Sequence, residues 1–293
     1  MTAATRPVRR GTEARALRAF ASHRPAVASA ALLALLVICA VLAPLLAPYD
    51  PYDLAVSASG NIAFEEPPSS EHLLGTDAIG RDVLSRLIYG GRISLSIGLI
   101  SATISIALGS LLGVLAGFRG GATDTVLSRT ADAVSTFPAL FLILTVSSFV
   151  KPSIFNVMAV IGLLSWMPTF RLMRAEVLKL RAVDFVEAAH ALGAGAGRIM
   201  GRHLVPNAVA PIIVQATLGV AEAILIESAL SFLGLGVQPP TASWGNMLAD
   251  ARSMTVLQSQ PWLWVPPGVA IFVTVLAINF MGDGLRDAID PRR

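Results

Sequence analysis

Six long apolar segments constrain the fold of this chain more than any other feature of its sequence. A transmembrane α-helix needs about 17–25 mostly apolar residues to cross the hydrocarbon core of a bilayer. The third and fourth segments are short and are separated only by Lys151-Pro152-Ser153, so one of them could be re-entrant. The fifth is long enough to tilt or to project beyond the membrane. The segments are approximately residues 26–47, 93–118, 133–150, 154–170, 208–236 and 262–281.

The overall composition also indicates a membrane protein. Of the 293 residues, 54% are hydrophobic and only 14% are charged, whereas a soluble domain carries about 25% charged residues. We therefore predict an all-α integral membrane protein with six transmembrane helices in one domain. The single cysteine, Cys39, lies inside an apolar segment, so no disulfide framework is expected. The predicted regions are an N-terminal basic tail (1–25), a first transmembrane helix (26–48), an outer loop (49–90), a membrane core (91–285) with an inner loop (171–207), and a C-terminal tail (286–293).

The distribution of basic residues predicts the orientation of these helices. With six spans and the N-terminus inside, 17 of the 22 basic residues lie on the cytoplasmic side. Cytoplasmic loops normally carry this excess of lysine and arginine. We therefore expect both termini and the 171–207 loop to be cytoplasmic, and residues 49–90 and 237–260 to lie outside. This asymmetry also accounts for the net charge of +3 without a nucleic-acid partner. The outer basic residues are Arg81, Arg86, Arg92, Lys151 and Arg252.

A glycine-rich stretch in the inner loop, VEAAHALGAGAGRIMGRHLVPN (186–207), raises the question of a nucleotide site. Its glycine spacing does not match G-x-G-x-x-G, and the chain contains no G-x-x-x-x-G-K-[ST] phosphate-binding loop. The residues before the glycines instead follow a helical period, with one apolar face. Two interpretations remain, a helix lying on the membrane surface or a docking helix for a cytoplasmic partner. The apolar face consists of Phe185, Val186, Ala189 and Leu192.

The same stretch resembles a known family motif. Glu187-Ala188-Ala189, followed by Gly193 and Pro206, is similar to the EAA loop of bacterial ATP-binding-cassette importer permeases. Three further stretches resemble the C-type permease subunit of the branch that imports dipeptides, oligopeptides and nickel. They are LLGTDAIGRDVLSRLIYGGRISL (73–95), ESALSFLGLGVQPPTASWGNML (227–248) and NFMGDGLRDAIDP (279–291). Their order and spacing extend the resemblance over nearly the whole chain.

The resemblance implies the type I importer permease architecture in a bacterial cytoplasmic membrane. It implies three kinds of partner besides the lipid bilayer: a homologous second permease, two cytoplasmic ATPase subunits and an extracytoplasmic substrate-binding protein. ATP and Mg would be bound by the ATPases, so this chain is expected to hold no cofactor and to catalyse no reaction. The expected substrate is a di- or oligopeptide, with nickel or another small solute as the alternative. The implied coupling residues are Phe185, Val186, Glu187, Ala188, Ala189, Leu192, Gly193 and Pro206.

An ion-driven secondary transporter is a competing interpretation. Such a carrier would be expected to show repeated halves and broken helices around polar ion-binding groups. No internal repeat is visible in the sequence, although the short third and fourth segments are compatible with broken helices. A membrane enzyme would need a catalytic motif, and neither H-E-x-x-H nor G-x-S-x-G occurs. The four histidines do not cluster, so no metal site is expected within this chain.

Several polar or small residues within the membrane segments are further candidates. Glu222 and Glu227 could line a translocation path, because ionisable groups at membrane depth usually face a bundle interior or water. Their separation of five residues places them about 140° apart around a helix, and pairing with a neighbouring helix is the alternative. In the outer loop, Asp77, Arg81 and Asp82 could contact a binding protein or form local caps and ion pairs. Small residues recur every fourth position and should allow close helix packing, within the chain or between subunits: Ser101, Ser105, Gly109, Gly113 and Gly117.

Overall fold

A computed structural model describes residues 18–56 and 60–289, with the exception of the His190 side chain. Within these residues the chain is helical, and its only β contacts are two isolated bridges, Val56 with Ile62 and Thr76 with Asp82. The long helices are α1 (Arg24–Val41), α3 (Val83–Arg119), α4 (Gly121–Ser135), α7 (Met167–Arg181), α10 (Val205–Phe232) and α13 (Pro261–Ile289). The shorter ones are α2 (Ala43–Leu46), α5 (Ala139–Phe149), α6 (Ile154–Leu164), α8 (Asp184–Ala191), α9 (Ala196–Ile199), α11 (Trp244–Met247) and α12 (Met254–Ser259).

Four helical stretches are long and apolar enough to cross a membrane. They are α1, α3, the continuous helix Ala196–Phe232 and α13. Two bent helix pairs raise the number of candidate spans to six if each pair counts as one: α4 with α5, and α6 with α7. The predicted all-α membrane fold is therefore confirmed, but the third and fourth apolar segments are not straight spanning helices.

Prolines explain where these two segments break. A proline disfavours the α conformation in the residue before it. Pro138 directly precedes α5, and the α4–α5 pair is bent there by 88°. Pro168, in the first turn of α7, has no N–H for the carbonyl of Leu164 at the end of α6, and the bend between these helices is 41°. The helices α5 and α6 have 11 residues each, or about 16 Å of helix, so neither can cross the bilayer core alone.

The central helix α3 packs closely against α6 and α7 along its stripe of small residues. The Ser101 hydroxyl donates a hydrogen bond to the Met158 carbonyl at 3.0 Å, and the Ser105 hydroxyl donates to the Ser165 carbonyl at 2.8 Å. Further along, α3 and α7 are so close that a Cβ atom added to Gly113 would clash. It would lie 2.8 Å from both the Met173 Cβ and the Phe170 carbonyl oxygen. Gly109 and Gly117 meet α7 equally closely. The predicted close packing is thus confirmed, and it is intramolecular.

The outer segment before α3 is fixed by buried polar contacts. The Asp82 carboxylate caps α3 by accepting from the Ser85 backbone N–H at 2.7 Å, and it also lies 2.9 Å from His72 Nδ1. The Asp77 carboxylate binds two guanidinium groups, those of Arg81 at 2.8 Å and Arg86 at 3.2 Å. Both carboxylates are buried. The cap and ion-pair interpretation of Asp77, Arg81 and Asp82 is therefore confirmed.

The close approach of α3 and α7 leads to a first prediction. Gly113→Ala should lower the stability of the protein by about 1–3 kcal/mol, because the added methyl group must displace backbone and Cβ atoms of α7. Gly219→Ala is the matched control, since its Cβ would lie 3.7 Å from the Ala102 Cβ, an ordinary contact. Thermal unfolding of the two variants in mild detergent checks the difference. Equal melting temperatures would contradict the close packing of α3 on α7.

Candidate coupling loop and translocation path

The helix α8 is the centre of the candidate coupling loop. Asp184 and Glu187 occupy its first turn, where carboxylates interact favourably with the helix dipole. The helix ends at Ala191, and Gly193 follows with a φ angle of +81°. The Ala194 N–H then donates back to the Ala189 carbonyl at 3.0 Å. A left-handed glycine followed by this long return bond is a Schellman ending, so the predicted role of Gly193 as the helix exit is confirmed.

One side of α8 packs against its own chain. Val186 is only 2% exposed and belongs to a buried cluster with Met173, Val177, Ile199 and Leu204. Ala189 packs against the same cluster. This corrects the expectation that the whole apolar face is available to a partner. A helical period identifies an apolar face, but it does not tell whether that face meets the same chain or another one.

The other side of α8 is open to solvent or to a partner. Phe185 is 40% exposed and Leu192 is 88% exposed, while Glu187 and Ala188 are also on the surface. Glu187 lies at a surface depression that is also lined by Arg119 and Arg181. The exposed apolar residues are therefore fewer than predicted, and they sit at the two ends of α8.

The end of the loop enters the fifth span without a break. A π-helical turn, Met200–Leu204, joins α9 to α10. Pro206 follows in the first turn of α10 and is exposed. Proline lacks an N–H group and disturbs the normal backbone ladder one turn upstream, which is where the π turn lies. The loop and the fifth span therefore form one continuous helix, Ala196–Phe232.

The two glutamates of α10 have different surroundings, as their angular separation predicts. Glu227 is fully buried. Its carboxylate accepts hydrogen bonds from the hydroxyl groups of Ser231 at 2.7 Å, Ser243 at 2.8 Å and Ser94 at 3.3 Å. These serines belong to α10, to the cap of α11 and to α3. Glu227 therefore joins three segments, and its assignment to a translocation path is corrected.

The folded segment around α11 explains why Glu227 is buried. The Ser94 hydroxyl oxygen accepts from the Trp244 backbone N–H at 3.1 Å, and the Trp244 indole donates to the Leu87 carbonyl at 2.9 Å. A Cβ atom on Gly245 would lie 2.6 Å from the Ser228 Cα. The segment is thus pressed onto α3 and α10, directly over the carboxylate. Sequence reasoning did not identify this serine cluster, because Ser94 and Ser243 reach Glu227 only through the folding of α3 and the α11 segment.

Glu222 faces a different environment from Glu227. Its side chain is exposed, and it forms no ion pair with any residue that the structure describes. It borders a narrow cleft between α3, α7 and α10, with several polar groups around it. An exposed carboxylate in the middle of a membrane-spanning helix needs water or another subunit beside it. Glu222 therefore stays a candidate path residue. The polar groups are Ser101, Ser105, Ser165, Thr169 and Gln215.

Known proteins similar to this chain cover almost its full length. Residues 109–293 match the family described as binding-protein-dependent transport system inner membrane component, and residues 14–68 match the N-terminal transmembrane domain of oligopeptide transport permease C. A Brucella suis protein provisionally named a peptide permease is 44% identical over 98% of this chain and 93% of its own.

Two further relatives carry more specific names. The di/tripeptide transport system permease protein of Pseudomonas aeruginosa is 43% identical over 94% of this chain and 90% of its own. The oligopeptide transport system permease protein of Bacillus subtilis is 36% identical over 94% and 88%. Together with the helical membrane fold, these matches show that the chain belongs to the C-type permease subunits of the bacterial ATP-binding-cassette importers for dipeptides, oligopeptides and nickel.

Proposed function

We propose that this chain forms one half of the translocation path of an ATP-driven importer for di- or short oligopeptides. A homologous permease supplies the other half, and an extracytoplasmic binding protein delivers the peptide. Two cytoplasmic ATPase subunits bind ATP and Mg and dock on the EAA loops. The names of the relatives described above refer to peptides, which supports a peptide over nickel.

The observation that carries this proposal is the two-sided packing of α8. Val186 anchors the helix in a buried cluster with residues of α7 and of the loop leading into α10. Phe185 and Leu192 remain exposed at its two ends. A force applied to the exposed side is therefore passed to two membrane helices through close-packed side chains. A helix resting on the lipid surface would need no such anchor within the protein.

The same packing supports a two-state mechanism. ATP favours the closed ATPase pair, and a ligand shifts a conformational equilibrium by its different affinities for the two states. Closure moves the two EAA loops together. Because α7 contacts α3 along the glycine stripe, displacement of α8 reaches α3 as well as α10. The path between the two permeases then changes its open side, and Glu222 lies on the helix that moves.

The charge asymmetry predicts which side of the membrane each loop occupies. Single cysteines at Asp53 and Ala196, both exposed positions, should react differently with an impermeant thiol reagent on intact cells in a Cys39→Ala background. Asp53→Cys should be labelled from outside, whereas Ala196→Cys should be labelled only after the cells are opened. Labelling of Ala196→Cys alone on intact cells would reverse the orientation. The two tails, 1–17 and 290–293, lie outside the described residues.

The coupling role of α8 predicts the effect of changes at its exit. Gly193→Val should reduce the stimulation of ATP hydrolysis by peptide-loaded binding protein at least tenfold, because a β-branched residue is strained by about 1–3 kcal/mol at positive φ. Gly193→Asn should retain most stimulation, since asparagine tolerates this conformation. Gly197→Val is the matched control, because Gly197 also has open space around it but no positive φ.

Stimulation of ATP hydrolysis should also be measured for Leu192→Asp and Glu187→Arg, which change side chains on the exposed side of the loop. Both variants should still assemble with the second permease, which is checked by co-purification from membranes. If all of these variants kept full ATPase attachment, stimulation and uptake, the docking role would be excluded. The loop would then be an interfacial helix.

The exposed carboxylate of Glu222 predicts a substrate effect. Glu222→Gln should lower the uptake of a dipeptide with a free ammonium group about tenfold, the loss expected for one charged hydrogen bond. Glu222→Asp should recover part of the uptake, and the complex should assemble normally in both cases. Uptake of several dipeptides into reconstituted vesicles measures the effect. Unchanged uptake for all of them would remove Glu222 from the path.

A further inference from the structure

A second polar cavity lies on the outer side of the protein, away from Glu222 and from the EAA loop. Its volume is about 300 Å³, at the small end of the range of roughly 300–1,000 Å³ for small-molecule sites. The start of α3, the end of α10 and the segment around α11 form its walls. The residues with charged or amide side chains around it are Asp77, Arg81, Arg86, Gln238, Asn246, Asp250 and Arg252.

One wall of the cavity is electrostatically satisfied. Asp77 accepts from both Arg81 and Arg86, and Arg86 also points a nitrogen at the Pro51 carbonyl oxygen, 3.5 Å away. The Asn246 side-chain amide donates a hydrogen bond to the Thr241 carbonyl at 2.6 Å. Two guanidinium groups thus share one carboxylate, which leaves an excess positive charge on this wall. These contacts make the wall rigid before any ligand arrives.

Two further charged side chains at the cavity form no ion pair among the described residues. The half-buried Asp250 carboxylate makes no ion pair or side-chain hydrogen bond among residues 18–56 and 60–289. Arg252 uses only its Nε, which donates to the Ala249 carbonyl at 3.0 Å, and its other guanidinium nitrogens have no partner in that part of the chain. Burial, followed by the nearby Asp77 carboxylate, raises the pKa of Asp250 above its ordinary value, although the positive charges of Arg86, Arg81 and Arg252 partly oppose this rise. A cation placed beside Asp250 would relieve this unfavourable burial.

We propose that this cavity binds the zwitterionic backbone of a short peptide on its way from the binding protein to the membrane path. The ammonium group of the peptide pairs with Asp250, and its carboxylate pairs with Arg252 and the positive wall. Separate partners for the two charges select a compact zwitterion over an ion of one sign. The cavity size favours a di- or tripeptide. This inference rests on the proposed peptide function and adds a substrate site to it.

A chelated metal ion fits this cavity less well than a peptide. Among the described residues, no group of three or more His, Cys, Asp or Glu side chains is arranged to hold a metal ion. Asp77 is already bound by two arginines, so Asp250 is the one carboxylate at the cavity left to act as a ligand.

The test uses the whole reconstituted transporter with its binding protein and Ala-Leu as the probe peptide. Asp250→Asn and Arg252→Gln should each lower kcat/KM for Ala-Leu uptake about tenfold, as expected for loss of one charged hydrogen bond. Glu71→Gln is the matched control, because it removes a charge from the exposed outer surface away from the cavity, and its uptake should match that of the unaltered protein. Basal ATP hydrolysis should also be unchanged in Glu71→Gln, which shows that the control transporter is assembled.

Direct contact is checked with an Ala-Leu analogue that carries a diazirine on its leucine side chain. Irradiation during transport should crosslink it to the segment 246–252, and Asp250→Asn should reduce that crosslink in parallel with uptake. Normal uptake in both variants with no crosslink to this segment would overturn the inference. Weaker docking of the binding protein, with normal uptake once that protein is saturating, would assign the cavity to protein docking and would also overturn it. If the unaltered transporter imported no peptide at all, the proposed function itself would fail.

Discussion

The close approach of α3 and α7 is the contact on which the rest of the structure depends. In a bilayer, apolar surface gains little by leaving lipid, so helices associate through close packing and interhelical hydrogen bonds. The stripe of Ser101, Ser105 and three glycines provides both, with hydroxyl bonds at one end and backbone contact at the other. It lets the broken α6–α7 pair lie against a straight helix of 37 residues. α7 in turn supplies Met173 and Val177, which hold the coupling helix.

Buried contacts at the two ends of the helix bundle connect α8, α10 and the α11 segment to the packed helices α3 and α7. At the end that the charge asymmetry predicts to be cytoplasmic, Val186 ties α8 to α7 and to the loop that continues into α10. At the opposite end, Glu227 and its three serines tie α10 to α3 and to the α11 segment. That segment also forms a wall of the charged outer cavity. A displacement of α8 can thus reach the outer surface through α10 without passing through a flexible loop.

Much of this organisation could be predicted from the sequence, for identifiable physical reasons. Apolar length predicted the membrane fold, the four-residue repeat predicted the close packing of α3, and glycine after an amphipathic helix predicted the left-handed exit at Gly193. The sequence did not reveal which face of α8 meets its own chain, because burial of Val186 depends on how the neighbouring helices bring Met173 and Leu204 against it. The helical period predicted that Glu222 and Glu227 face different directions. It could not predict that Glu227 is the buried one, because that burial requires the α11 segment to fold back over it. The outer cavity is likewise formed by side chains more than 150 residues apart.

The central claim is that α8 moves as one body with the membrane helices. Spin labels at positions 192 and 111 test it most directly, because both side chains are exposed and lie on α8's end and on α3. Pulsed electron paramagnetic resonance would measure this distance in the assembled transporter, with and without a non-hydrolysable ATP analogue. The account predicts that the distance between positions 192 and 111 stays unchanged when the analogue binds. The distance from position 192 to the equivalent coupling loop of the second permease should shorten. A large change between positions 192 and 111, with the paired distance constant, would contradict it.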